Sequence, residues 1–178
     1  MAAEANVNVM VTVRLAAADD ADAIGRIQVE SWRAAYTGLM PDEAIEGFDV
    51  AARQRMWREG LARPPRPGSA TFVVEETGEV VGFASVGGSR EAEAEAEAEL
   101  YAIYLHPDRW GRGIGRALLR RAEDSMRASG FREAILWVLE GNERGERFYR
   151  AAGWEQDGRK NDTFQGAAVT ELRYRKRL

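Results

Sequence analysis

The sequence predicts a mixed α/β protein, and three features carry that expectation. Leu100–Leu105 and Ala134–Leu139 are continuous apolar runs of the kind found in buried strands. Between them lies an amphipathic helix with Leu118, Leu119, Ala122, Met126 and Ser129 on one face and Gly130 as its terminator. Strand, helix, strand at this spacing is a βαβ unit, whose strands are parallel neighbours. Ahead of it, Thr71–Glu75 and Val80–Val86 are β-rich runs joined by Glu76-Thr77-Gly78-Glu79, which reads as an antiparallel hairpin. With 178 residues, no linker and no internal repeat, residues 1–178 are expected to form one domain.

Taken in order, Val7, Val9, Val11, Val13 and Leu15 alternate with polar residues, as in a half-buried strand. Asp19 and Asp20 are placed to cap the next helix, whose apolar positions are Ile24, Ile27, Trp32 and Ala35. A looser helical region runs from Pro41 to Leu61 and is interrupted at Gly47. Arg63–Gly68, with three prolines, is an exposed loop. Glu91–Glu99 alternates strictly between Glu and Ala. Its like charges repel, so Glu91, Glu93, Glu95 and Glu97 are expected to sit in a solvated loop or extended edge. After the βαβ unit comes a short helix, Asn142–Ala152, stopped by Gly153. Two closing strands follow, one from Trp154 onward and one over Ala167–Arg175.

Composition excludes several chemistries. There is no cysteine and a single histidine, His106, so disulfides, a cysteine nucleophile and a catalytic zinc of the usual kind are not expected, nor any other metal. No G-x-S-x-G elbow surrounds Ser85. A net charge of −4 gives no general affinity for nucleic acid. No basic n-region with an apolar core opens the chain, and no apolar run approaches the ~20 residues of a membrane span, so a cytoplasmic protein with no membrane partner is expected.

Gly111, Gly113 and Gly115 lie at a helix entry, where backbone amides and the positive end of the helix dipole can hold a phosphate or pyrophosphate. Arg112 and Arg116 flank that entry. Gly115-Arg116-Ala117 lacks the Lys and hydroxyl of a Walker A loop, and the G-x-G-x-G spacing is not that of a dinucleotide fold.

From Glu99 to Leu119 the chain resembles the acetyl-CoA-binding motif of the GNAT superfamily of N-acetyltransferases, Q/R-x-x-G-x-G/A. Gly113 and Gly115 stand at its two small positions, and Trp110 stands where Gln or Arg is usual. Asn142 with Phe148-Tyr149-Arg150-Ala151-Ala152-Gly153-Trp154 resembles the second signature, N-x5-FYxxxGF, with Trp for the last Phe. The resemblance implies a GNAT-like mixed, mostly antiparallel central sheet with a parallel βαβ core, splayed central strands and helices on both faces. It implies acetyl-CoA as co-substrate, with Ile103, Tyr104 and Leu105 lining the pantetheine arm. Trp110, Gly111, Arg112, Gly113, Ile114, Gly115 and Arg116 would lie around the pyrophosphate, and Asn142 would face the cofactor.

The implied reaction is transfer of an acetyl group from the thioester to an amine. An alkyl ammonium must first lose a proton. Glu99 matches the place, eleven residues before the Q/R position, where several family members carry a catalytic Glu. Tyr149 matches the tyrosine that protonates the departing thiolate. With no cysteine, direct attack in a ternary complex is expected rather than an acyl-enzyme. Trp32 and Tyr36, four apart on a helix, are candidate walls of the acceptor pocket. A small-molecule amine is the first expectation for the acceptor. A protein or peptide N-terminus is the alternative, and a non-catalytic acyl-CoA-binding module is another. The resemblance also implies a homodimer formed through a terminal strand.

Overall fold

The computed structural model describes residues 11–91 and 97–178. Its elements are, in order, β1 (Val11–Leu15), α1 (Ala21–Tyr36), α2 (Asp42–Glu46), α3 (Val50–Leu61), β2 (Ala70–Glu76), β3 (Glu79–Gly88), β4 (Ala98–Leu105), α4 (Ile114–Ala128), β5 (Glu133–Leu139), α5 (Glu143–Ala151), β6 (Glu155–Phe164) and β7 (Ala167–Arg177). The seven strands form one sheet in the order β1-β2-β3-β4-β5-β7-β6. Every pairing is antiparallel except β4 with β5. The predicted βαβ unit and hairpin are both present. Thr77 and Gly78 have φ of 52° and 84°, the left-handed pair that closes a two-residue hairpin with the correct twist.

Because side chains alternate across a strand, the sheet feeds two cores. Phe72, Val74, Ala84 and Val86 pack on one face against Leu118, Leu119, Ala122 and Met126 of α4. Val73 and Phe83 pack on the other against Ile24 and Ile27 of α1, with Trp57 of α3 alongside. Helices therefore cover both faces, and β4 runs through the middle.

Several local expectations are revised. Asp20 does not cap α1 with its side chain. It accepts the Ala17 amide at 2.7 Å and a two-pronged bond from Arg14 at 2.7 and 2.9 Å. Ser129 is exposed at the end of α4 rather than on its buried face. Trp154 precedes β6 and is fully buried, donating Nε1 to the buried Glu123 at 2.9 Å. Glu91 and Glu97 are not simply solvated. Glu91 accepts from Trp137 Nε1 at 2.8 Å and pairs with Arg173 at 3.2 Å, while Glu97 pairs with Arg175. The arginines of β7 supply the countercharge that composition alone does not locate. Val7, Val9, Glu93 and Glu95 lie outside the described residues.

Candidate active site

The site begins where the sheet parts. β4 and β5 pair only through Ala98–Ala134, Glu99–Ile135 and Leu100–Leu136, although β4 continues to Leu105 and β5 to Leu139. The parting coincides with a bulge. Ser85 of β3 opposes Ala102 and Val86 opposes Leu100, so Tyr101 is the extra residue. A bulge bends its strand and increases its twist, which turns β4 away from β5. Ile103, Tyr104 and Leu105 lie in the separated stretch, as expected for an edge that can take an added extended arm. The end of β4 is pinned at the Leu105 carbonyl, which accepts from Ser31 Oγ at 2.8 Å and Trp110 Nε1 at 2.7 Å.

Beyond that end, a 3-10 turn over Pro107–Arg109 leads into the glycine loop. Gly111 and Gly113 have φ of 76° and 80°, and a side chain added at either would meet only open space. That conformation, rather than crowding, is what requires glycine. Gly113 is the N-cap of α4. The amides of Gly111, Arg112, Gly113, Ile114 and Gly115 donate no hydrogen bond among the described residues. Five consecutive amides without a partner at the start of a 15-residue helix are a donor set that fits a pyrophosphate.

The side chains around these amides have other duties. Arg112 bonds Glu76 at 2.8 and 3.2 Å. Arg116 donates to the Ala151 carbonyl at 2.9 Å and ties α4 to α5. Trp110 carries Arg144 over its ring at 4.4 Å. Its side chain therefore holds the loop, and the motif position usually filled by Gln or Arg has here become a peg. Asn142 caps α5 by accepting the Gly145 amide at 3.0 Å, and its carboxamide also reaches the Tyr36 hydroxyl.

On the other side of the parted strands lies a cavity of about 450 Å³. Trp32, Tyr36 and Glu99 all line it, as does Tyr104. Trp32 is packed against Tyr36, Phe48 and Phe164 at centroid distances of 4.9, 4.7 and 5.0 Å, so the expected wall is an aromatic cluster. Glu99 is only 2% exposed. The Arg90 amide donates to its carboxylate at 2.9 Å and Arg90 Nε at 3.1 Å, and the guanidinium completes an ion pair that offsets the cost of burial. Arg90 is stacked on Tyr101 at 4.8 Å.

Tyr36, Tyr104 and Tyr149 are buried tyrosines, the first two in the wall of this cavity. Burial raises all three pKa values above the usual tyrosine value. For Tyr36, bonds from Asn142 and Tyr104 work against that rise. For Tyr104 the rise is large, and the neighbouring tyrosines add to it. For Tyr149 burial dominates, with Tyr36 second. Desolvation disfavours the phenolate, so these groups hold their protons.

The structure thus brings together Glu99, Trp32 and Tyr36 in one cavity. Tyr149 stands with the tyrosine cluster, and the glycine loop lies beyond the end of β4. Arg90, Trp137, Lys160, Phe164 and Glu171 also line the cavity and were not singled out from sequence. They arrive from β5, β6, β7 and the β3–β4 connection, so only the strand register collects them. Trp137 alone left a signal, an indole inside an otherwise aliphatic strand.

A family model described as the acetyltransferase (GNAT) family matches residues 21–154. The chain is 33% identical over 164 residues to an uncharacterized N-acetyltransferase of Bacillus subtilis, YuaI, covering 92% of this chain and 91% of that one. It is 25% identical to a spermidine N(1)-acetyltransferase of Thermoplasma acidophilum, covering 92% and 98% of the two chains. In shape it is similar to the PaiA N-acetyltransferase of Thermoplasma acidophilum solved in complex with coenzyme A. The TM-score there is 0.74 at 21% identity, with 95% of this chain and 99% of that one covered. The parted β4 and β5, the amide cradle and the matched sequence over most of the length agree with one another, and the chain belongs to the acetyltransferase (GNAT) family of N-acetyltransferase enzymes.

Proposed function

We propose that this single-domain enzyme transfers the acetyl group of acetyl-CoA to the amine of a small cationic molecule, by direct attack within a ternary complex. The observation that carries the donor half is the run of five undonated amides at Gly111–Gly115, at the end of the gap between β4 and β5. Acetyl-CoA supplies an activated acyl carbon. Ile103, Tyr104 and Leu105 lie on the side of β4 that β5 has left, along which its extended arm runs, and the loop amides bind its pyrophosphate. Asn142 acts through α5 and Tyr36 rather than by a free side chain.

The acceptor half rests on the cavity. Its volume falls in the ~300–1,000 Å³ range of small-molecule sites. Glu91, Glu99, Asp162 and Glu171 line it, against two cations, Arg90 and Lys160. Both cations are already paired with lining carboxylates, Arg90 with Glu99, and Lys160 with Glu171 at 3.3 Å and Asp162 at 3.7 Å. Glu91 is paired in turn with Arg173 at 3.2 Å, so one carboxylate is in excess, and that excess between aromatic walls draws in an ammonium. A relative whose name specifies spermidine fits the same chemistry.

Glu99 takes a proton from the entering ammonium, and the freed nitrogen pair attacks the acyl carbon. Tyr149 holds its hydroxyl proton ready for the departing sulfur. Trp32 and Tyr36 exclude water and orient the acceptor. The enzyme is read as cytoplasmic. It is also read as a homodimer formed through a terminal strand, a point checked by its mass in solution.

The test is acetyl-CoA consumption across a panel of mono- and polyamines, amino acids and short peptides. Small amines are expected to be acetylated with the highest kcat/KM. Preference for peptide N-termini would overturn the acceptor reading. Tight acetyl-CoA binding with no acceptor in the panel would favour a binding module.

A further inference from the structure

The hairpin between β2 and β3 ends in a charge that the reaction does not use. Glu76, the last residue of β2, is 6% exposed. Burying a carboxylate is costly unless its oxygens are paired. Both are paired here, and both partners come from the approach to the cradle. Arg112 lies 2.8 Å from Oε1 and donates to Oε2 at 3.2 Å, while Arg109 Nε lies 2.6 Å from Oε2 as a charge contact without hydrogen-bond geometry. The two arginines flank Trp110 and Gly111, so one buried carboxylate clamps both shoulders of the turn whose amides are free. The clamp is anchored on rigid backbone, the two-residue turn at Thr77-Gly78.

We infer that Glu76 is a positioning residue for the donor's pyrophosphate. It acts through Arg109 and Arg112 to hold the Gly111–Gly115 amides convergent before the ligand arrives. A loop with two left-handed glycines has much conformational freedom to lose on binding, and the clamp removes that loss in advance. The inference rests on the assignment of this loop to the pyrophosphate.

The experiment compares two probes by calorimetry or competition, coenzyme A and pantetheine, the second lacking the pyrophosphate together with the adenosine 3′-phosphate. Wild-type protein is expected to bind coenzyme A far more tightly. Glu76→Gln keeps the shape but removes the charge, and is expected to raise the Kd for coenzyme A about tenfold. Its Kd for pantetheine should stay within twofold. Arg109→Met removes one arm of the clamp and should give a smaller shift of the same selective kind. Equal weakening of both probes in either variant would mean a general folding role and overturn the inference, as would unchanged coenzyme A affinity. If wild-type protein does not distinguish the two probes, the pyrophosphate assignment itself falls, and the clamp falls with it.

Discussion

In the proposed reaction Glu99 takes the proton and Tyr149 gives one, and their surroundings differ. Glu99 is a buried carboxylate whose charged partner, Arg90, has its own side chain 67% exposed. Glu99→Gln keeps the shape and removes the base, and kcat is expected to fall by about 10²-fold or more. Tyr149 is raised by burial and stays protonated well into the alkaline range. Tyr149→Phe is therefore expected to lower kcat by a comparable factor that does not change between pH 7 and 9, as read from a pH–rate profile. A loss that vanished toward pH 9 would show that the phenol titrates in that range and would remove it as the acid. Asp20 offers a stability counterpart. Bonds from Arg14 lower its pKa against the opposing effect of burial. A folded pKa below the unfolded value of about 3.9 stabilises the fold above that pH, and the stability is lost as pH falls through the folded pKa. Asp20→Asn is expected to cost about 1–3 kcal/mol at pH 7 and progressively less below pH 4, by urea unfolding.

Elements were legible in the sequence wherever one period dominated. The apolar runs at Leu100–Leu105 and Ala134–Leu139, the stripe on α4 and the Thr77-Gly78 turn each carry a local signal strong enough to place them. The polar contacts between elements were not legible, because they depend on register. Arg90 meets Glu99 only because Gly88 opposes Ala98 across β3 and β4. Arg173 and Arg175 reach Glu91 and Glu97 only because β7 inserts between β5 and β6. Glu123 is a similar case. From sequence it is one more charge on α4, yet it is 4% exposed. It accepts from Lys176 Nζ at 2.8 and 2.9 Å and from Trp154 Nε1 at 2.9 Å, and so joins α4, β7 and the approach to β6. Glu123→Ala leaves that ammonium without its carboxylate, at a cost of about 3 kcal/mol. The denaturant midpoint should fall with an unchanged slope, and a shift under ~0.5 kcal/mol would show the network to be dispensable.

For the molecule as a whole, the glycine loop was legible from three glycines before a helix, whereas the cavity was legible only in Trp32, Tyr36 and Glu99. The loop is built from contiguous backbone. The cavity is built from side chains on five separate elements and from a bulge at Tyr101 that has no signature of its own. The proposed donor site is carried by a continuous motif, and the proposed acceptor site by charge and volume. In the proposed reaction donor and acceptor occupy opposite sides of the parted strands together and react directly. Among the described residues no helix is long and apolar enough to cross a membrane. The most direct measurement is the initial rate of thiol release as acetyl-CoA and a small amine are varied against each other. Intersecting double-reciprocal lines, with no burst of enzyme-bound acetyl, are the predicted result. Parallel lines, or thiol release that ignores the amine, would contradict it.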